Sequence, residues 1–179
     1  MATSSTVVQQ LIAAFPGFAE IKKARWQPIE NVLPAVSDSE LVQLEKFLNV
    51  KLPDSYKKFL RVTRGFSFGD GSVQFGRQHP FFHEFDKLSA LNLEQQEMVR
   101  ERGGKWPPPS DGMICFAEMF MLADGDQALF DVKGDLKKGE YAVYYYAHDW
   151  PKVIRIFNGF EDFMNGFLRL QEWGGDEPE

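Results

Sequence analysis

Two histidines carry the clearest metal-like spacing in the chain. His79 and His83 stand four residues apart with Glu84 and Asp86 close behind, a spacing that on a helix brings two imidazoles to one metal ion. Pro80 falls between the histidines and phenylalanines surround them, which favours a loop or a strand over a helix. Without a helix the spacing has no geometric meaning, so we predict no metal site and no cofactor here.

A second candidate for ion binding is the segment from Asp124 to Asp126, which resembles a fragment of a calcium loop. Ala128 stands where such a loop needs its third oxygen ligand, and no glutamate follows at the twelfth position. Asp and Gly are also the usual residues of tight turns. We therefore predict a polar hairpin turn.

Nucleophilic chemistry has little support in the sequence. Cys115 lies in an apolar run, where a thiol is a small buried hydrophobe. His148 and Asp149 could form half of an acid–base pair, but no serine or cysteine with a nucleophile signature accompanies them. Phosphate-binding, dinucleotide-binding and hydrolase motifs do not occur in the sequence. We predict that the protein is not an enzyme.

Features typical of binding surfaces are more numerous. Acidic residues fall in one stretch from Glu118 to Asp135 that contains a single basic residue, Lys133. Strand alternation would bring some of them to a common face or loop rim. Tryptophans, which favour interfaces, adjoin prolines in two predicted loops. The predicted partner-binding residues are Trp106, Glu118, Asp124, Asp126, Asp131 and Trp150. The alternatives are charges scattered at strand ends and tryptophans that close the ends of the core.

Length and composition indicate a single globular domain. The chain has 179 residues, of which 44% are hydrophobic and 15% aromatic, and one cysteine, which excludes an internal disulfide framework. The net charge is −6, and Asp176, Glu177 and Glu179 supply three of the negative charges. This balance argues against nucleic acid and leaves room for a basic protein partner. We expect a domain over residues 1–173, a disordered acidic tail over 174–179, no membrane contact, a monomer or weak dimer, and a cytoplasmic location.

Hydrophobic periodicity predicts helices at both ends of the chain. A first helix is expected from Thr6 to Phe15, followed by an extended connection over Ile21–Pro34. A capping box at Ser37–Glu40 begins a helix with Leu41, Leu44 and Leu48 on one face. Pro53 begins another helix, whose Tyr56, Phe59, Leu60 and Thr63 share a face and which Gly65 ends. A further helix begins near Asn92, and a last one carries Phe160, Phe163, Met164 and Phe167.

The remaining segments favour strands. Short apolar groups flank Gly69–Gly71 as a hairpin or wide loop, and strands are predicted at Met113–Ala123, Ala128–Val132, Tyr141–Ala147 and Val153–Phe157. Turns rich in Gly, Asp and Lys separate them, and the prolines after Trp106 form a loop. The second half therefore predicts an antiparallel meander.

This order of elements resembles the SUKH superfamily, which joins the fungal Smi and Knr regulators of cell-wall synthesis with bacterial immunity proteins. The similarity rests on Glu40-Leu41, Leu44-Glu45, the run from Leu48 to Leu60 with its Leu52-Pro53 pair, Ile114–Ala123, Asp124–Asp126, Tyr141–His148 and Phe160–Phe163. It covers roughly residues 30 to 170. Arg64-Gly65-Phe66 departs from the family, where an Asn-Gly pair and a small residue are usual.

The resemblance implies an α+β fold, with an antiparallel sheet packed by N-terminal helices and a C-terminal helix. It also implies a protein-binding module that needs no cofactor. Bacterial members neutralise polymorphic toxins, often nucleases, by direct binding, whereas the fungal relative is a scaffold that links cell-wall synthesis to signalling. The expected partner is therefore a basic cognate toxin domain, or else proteins of cell-wall or envelope synthesis and signalling. No group of polar residues in the sequence supports a small-ligand pocket between the helices and the sheet.

Overall fold

The computed structural model describes residues 4–24, 28–69, 73–75, 113–119, 126–132, 136–147 and 152–169. The sequence predictions for the helix near Asn92, for His79 and His83, and for the acidic tail lie outside these residues. In the described residues no helix is long and apolar enough to cross a membrane.

One antiparallel sheet of seven strands organises the described residues, with the strands side by side in chain order. Sequential antiparallel neighbours need only short connections, and the alternating apolar residues of the second half suit this pairing. The predicted hairpin around Gly69 and the predicted meander are confirmed. The strands are β1 (Ile29–Glu30), β2 (Phe66–Phe68), β3 (Gln74–Phe75), β4 (Met113–Glu118), β5 (Gln127–Asp131), β6 (Val143–Ala147) and β7 (Lys152–Phe157).

Five helices accompany the sheet in the described ranges, and the predicted α+β class is confirmed. They are α1 (Ser4–Ala14), α2 (Phe18–Ala24), α3 (Asp38–Leu48), α4 (Asp54–Leu60) and α5 (Phe160–Gly166). The predicted capping box at the start of α3 is present, because the Glu40 amide donates to the Ser37 hydroxyl and the Ser37 amide donates to the Glu40 carboxylate.

The main core lies between the sheet and the helices and is built from aromatic rings. Tyr56 on α4 packs against Phe130 on β5 and Phe160 on α5, with ring centroids 5.1 and 5.0 Å apart. Phe116 on β4 stacks on Phe130 at 4.3 Å. These side chains are fully buried. Rings of this size bury enough apolar area to join the helical layer to the sheet.

A smaller cluster lies apart from the main core. It consists of buried Met113, Cys115, Leu129 and Tyr146, with Tyr144 packed against it. These residues alternate along β4, β5 and β6 with residues of the main core, as the two faces of a strand require. The predicted burial of Cys115 is confirmed, with 1% of its surface exposed.

The N-terminal helices differ from the sequence prediction and belong to the main core. α2 occupies part of the segment predicted to be extended, because Phe18 and Ile21 form a buried helical face before the prolines that follow. The amide of Gly17, between α1 and α2, donates to the Asn165 side chain of α5 at 2.7 Å. Both ends of the described chain therefore pack together.

Helix α4 ends earlier than predicted. The amides of residues 61–63 still donate to carbonyl oxygens of the helix. From Arg64 onward the backbone pairs with the segment before α3: Arg64 donates to Pro34 at 2.9 Å, and Leu33 donates to Gly65 at 2.8 Å. The Thr63 hydroxyl also contacts the Leu33 carbonyl oxygen at 2.8 Å. These bonds replace the missing helical ones.

Candidate protein-binding surface

The residues predicted to bind a partner fall into two groups. Trp106, Asp124 and Trp150 lie outside the described residues, and their roles stay predictions. Glu118 ends β4, Asp131 ends β5, and Asp126 immediately precedes β5. The pairing of β4 with β5 therefore brings these last three positions onto one pair of strands.

Asp131 lies at the half-buried end of β5. It pairs in register with Met113, and its amide donates to the Ala142 carbonyl oxygen at 3.2 Å. The nearby hydroxyl of Tyr141 has a raised pKa, because burial disfavours the phenolate and the charges of Glu45 and Asp131 add to this effect. The charges of Glu45 on α3 and Asp131 on β5 thus both act on the Tyr141 hydroxyl.

Asp126 is buried, which differs from the surface position expected from the sequence. Only 2% of its surface is exposed, and its carboxylate accepts a hydrogen bond from the Tyr145 hydroxyl on β6. Burial, followed by the hydrogen bond to Asp126 and its charge, raises the pKa of Tyr145. Tyr145 therefore stays protonated as the donor to this carboxylate.

Glu118 occupies the middle of a row that runs across the sheet. Its position pairs with Gln74 on β3 and with Gln127 on β5, and Gln127 pairs with Tyr146 on β6. Gln127 and Tyr146 are buried. The row therefore crosses the sheet beside the smaller apolar cluster.

Among the described carboxylates, Glu140 and Glu40 each accept three hydrogen bonds, and no sequence pattern indicated Glu140. Glu140 accepts hydrogen bonds from the amide and hydroxyl of Ser55 at 3.1 and 2.7 Å, and from the amide of Phe160 at 3.0 Å. One carboxylate thus satisfies amides at the starts of both α4 and α5, where helices leave donors unpaired. Glu140 and Ser55 are 85 positions apart, so no sequence spacing could have indicated this contact.

The turn before Glu140 is tight and closely packed. Lys137 and Glu140 exchange backbone hydrogen bonds at 3.0 and 3.1 Å, and Lys138 and Gly139 between them have φ of 55° and 83°. Two positive φ values are typical of a type I′ turn. The amide of Asp54 donates to the Gly139 carbonyl oxygen at 3.1 Å, which fastens the turn to the start of α4.

The basic side chains of α4, Lys57 and Lys58, contact neighbouring elements. Lys57 lies 3.5 Å from Glu45 and 3.1 Å from Asp54. Lys58 donates to the Ala14 carbonyl oxygen at 2.6 Å and lies over the Phe15 ring. These contacts join α4 to α1 and α3 and leave little free positive charge on the helix.

Two further pairs extend this arrangement beyond the end of α4. Arg61 contacts Asp38 at 2.9 Å, and Arg64 contacts Glu40 at 2.6 Å. Hydrogen bonds from Ser37, then from Arg64, lower the pKa of the Glu40 carboxyl from 4.5 to about 2. Glu40 is therefore ionised at neutral pH and serves the start of α3.

A metal centre is not found in the described residues, where no group of three His, Cys, Asp or Glu side chains could hold an ion. His79, His83 and His148 lie outside those residues. The described acidic side chains that form hydrogen bonds do so with helix starts, loops, neighbouring cations and, for Asp126, the Tyr145 hydroxyl on β6.

The model of the SMI1 / KNR4 family (SUKH-1) matches residues 35–166, which run from just before α3 to the end of α5. Helices α1 and α2 and strand β1 precede the matched segment. No curated protein matches the chain.

Proposed function

Since this chain belongs to the SMI1 / KNR4 family (SUKH-1), we propose that it is an immunity protein that binds a toxin domain directly and blocks it. The toxin domain is a separate protein with a basic surface, and nucleases are one such class. Inhibition requires no reaction by this chain and no cofactor, because covering the toxin's substrate-binding face is enough.

The main support for this proposal is that several described carboxylates accept hydrogen bonds from backbone amides. Glu140 holds the starts of α4 and α5, Glu45 holds the Leu52 amide at 2.8 Å, and Glu40 caps α3. Each is already engaged in joining structural elements. A general acid or base needs a carboxylate that can reach a substrate, so these contacts favour binding over catalysis.

Charge indicates the kind of partner. The chain carries a net charge of −6, and Asp131, at the end of β5, is one of the predicted acidic contacts. An acidic surface accelerates encounter with a basic protein and orients it on arrival. Glu118, Asp124, Trp106 and Trp150 stay predicted contacts from the sequence. Asp126 is left out of the proposed surface, because its carboxylate is buried against Tyr145.

A growth assay tests the proposal. Cells that express the toxin domain captured with the tagged chain should die alone and survive when the chain is co-expressed. Asp131→Lys should abolish survival because it places a cation against a basic surface. Asp162→Lys, an exposed residue on α5, makes the same charge change and should leave survival intact.

A different outcome would favour the alternative function, a regulatory scaffold. If the native chain gives no protection and its loss instead impairs envelope growth in cells without any toxin, the protein is a regulatory scaffold of cell-wall or envelope synthesis. Such a scaffold would bind several partners weakly, whereas an immunity protein binds one partner in a fixed ratio.

A further inference from the structure

Three exposed lysines lie where the α3–α4 connection meets the turn before β6. Lys137 and Lys138 belong to the turn, and Lys51 stands three residues before Asp54, whose amide bonds to Gly139. We call these three residues the lysine corner. In the described part of the chain none of them has a carboxylate within ion-pair distance.

The free state of these lysines contrasts with the cations on α4 nearby. Lys57 has two carboxylate neighbours, and Lys58 bonds to a carbonyl oxygen and lies over an aromatic ring. Those side chains stabilise the folded structure. The lysine corner makes no comparable contribution to it, so its charge remains available to another molecule.

Lys138 also occupies an unfavourable backbone conformation. Three non-glycine residues in the described ranges have positive φ, and the other two, Asn31 and Asn49, are of the type that tolerates it. A lysine at the first central position of a type I′ turn is disfavoured where Asn or Gly would fit. The protein therefore keeps a charged side chain at a site where it costs stability, as happens at functional positions.

The turn holds its lysines in a fixed position. A Cβ on Gly139 would lie 2.9 Å from the Asp54 carboxylate, so the turn packs directly against the start of α4. The next residue, Glu140, is bonded to Ser55 and Phe160. A lysine on a fixed backbone loses less conformational entropy on binding than a lysine on a loose loop.

We propose that the lysine corner contacts a patch of aspartate and glutamate side chains on the bound toxin domain. This inference rests on the proposed function and adds a second contact of opposite sign to the acidic surface around Asp131. Contacts of both signs on one interface fix the orientation of the partner and exclude mismatched partners. The net charge of −6 favours a protein over a nucleic acid as the occupant.

Calorimetry of the purified chain with the toxin domain captured from its native cells tests this contact. Lys138→Asn should weaken binding by about fivefold or more, and adding Lys137→Gln should weaken it further. The same Lys138→Asn change should raise the melting temperature by about 2–4 °C, because Asn suits the positive φ. Lys23→Asn, an equal loss of charge at an exposed position of α2, should leave binding unchanged and should not raise the melting temperature.

The outcomes separate this inference from the proposed function. If the native chain binds and Lys138→Asn binds equally well, the lysine corner is not a contact and the immunity function stands. If the native chain does not bind the toxin domain, both proposals fail. A labelled single-stranded oligonucleotide that binds the native chain but not the Lys137→Gln/Lys138→Asn variant would overturn the assignment to an acidic protein patch.

Discussion

Glu140 accepts hydrogen bonds from both the backbone amide and the side-chain hydroxyl of Ser55, at 3.1 and 2.7 Å. The contact joins the segment before β6 to the start of α4, and the Phe160 amide adds the start of α5 at 3.0 Å. A single side chain thereby fixes α4, α5 and the turn before β6 relative to one another.

Replacing Glu140 by Ala should destabilise the protein strongly. The change leaves three partly buried donors without their acceptor, and losing hydrogen bonds to a charged group costs about 1.5–3 kcal/mol. Urea denaturation should show this loss as a lower midpoint. Glu20→Ala, on the exposed side of α2, is the control and should change the free energy of unfolding by less than about 0.5 kcal/mol. Equal stability of the two variants would contradict the role of Glu140.

Acid should weaken the start of α3 through Glu40. Its pKa is about 2 in the folded protein and 4.5 ordinarily, so the folded state binds the proton less readily than the unfolded state. The stabilisation is therefore complete above about pH 4.5 and is lost as pH falls toward about 2. The difference in unfolding free energy between the native chain and Glu40→Gln should be largest near neutral pH and shrink in acid. A difference independent of pH would contradict this assignment.

Gly17→Ala should loosen the contact between the N-terminal helices and α5. The new Cβ would lie 2.6 Å from the Asn165 carbonyl oxygen and 2.8 Å from its Cα, and backbone atoms cannot move aside cheaply. Overpacking of this kind costs about 1–3 kcal/mol. At Gly69 the same substitution meets the flexible Glu30 side chain at 3.3 Å, so thermal denaturation should show a smaller loss there. A larger loss at Gly69 would contradict the packing at Gly17.

Tyr145→Phe should destabilise the protein without opening a cavity. The substitution keeps the ring but removes the hydroxyl that donates to the buried Asp126 carboxylate. Weakening the hydrogen bonding of a buried charge costs about 1–3 kcal/mol. Chemical denaturation measures the loss, and Tyr144→Phe, on a half-buried neighbour, should cost less. If Tyr145→Phe leaves the free energy of unfolding unchanged, Asp126 does not depend on this donor.

The elements that the sequence predicts well are those with local signals. The start of α3 follows from Ser37 and Glu40, three residues apart, and the strands follow from alternating apolar residues and turn residues. The early end of α4 was missed because the bonds of Arg64 and Leu33 join segments about thirty positions apart. Helix α2 was missed because Trp26 and the prolines after it favour an extended chain.

The candidate surface could be predicted only in part. Local composition singled out the acidic stretch, but the burial of Asp126 depends on Tyr145, which is 19 positions away on another strand. The lysine corner depends on a turn conformation and on the packing of Gly139 against α4. The contacts of Asp126 with Tyr145 and of Gly139 with α4 join residues far apart in the sequence, so residue spacing does not predict them.

Affinity capture of the tagged chain from its native cells, with mass spectrometry of the proteins retained at low and high salt, tests the immunity function. We expect one partner in a stoichiometric amount that carries a basic toxin-like domain and is retained less well at high salt. Several envelope-synthesis proteins in substoichiometric amounts, with no toxin-like protein among them, would contradict it.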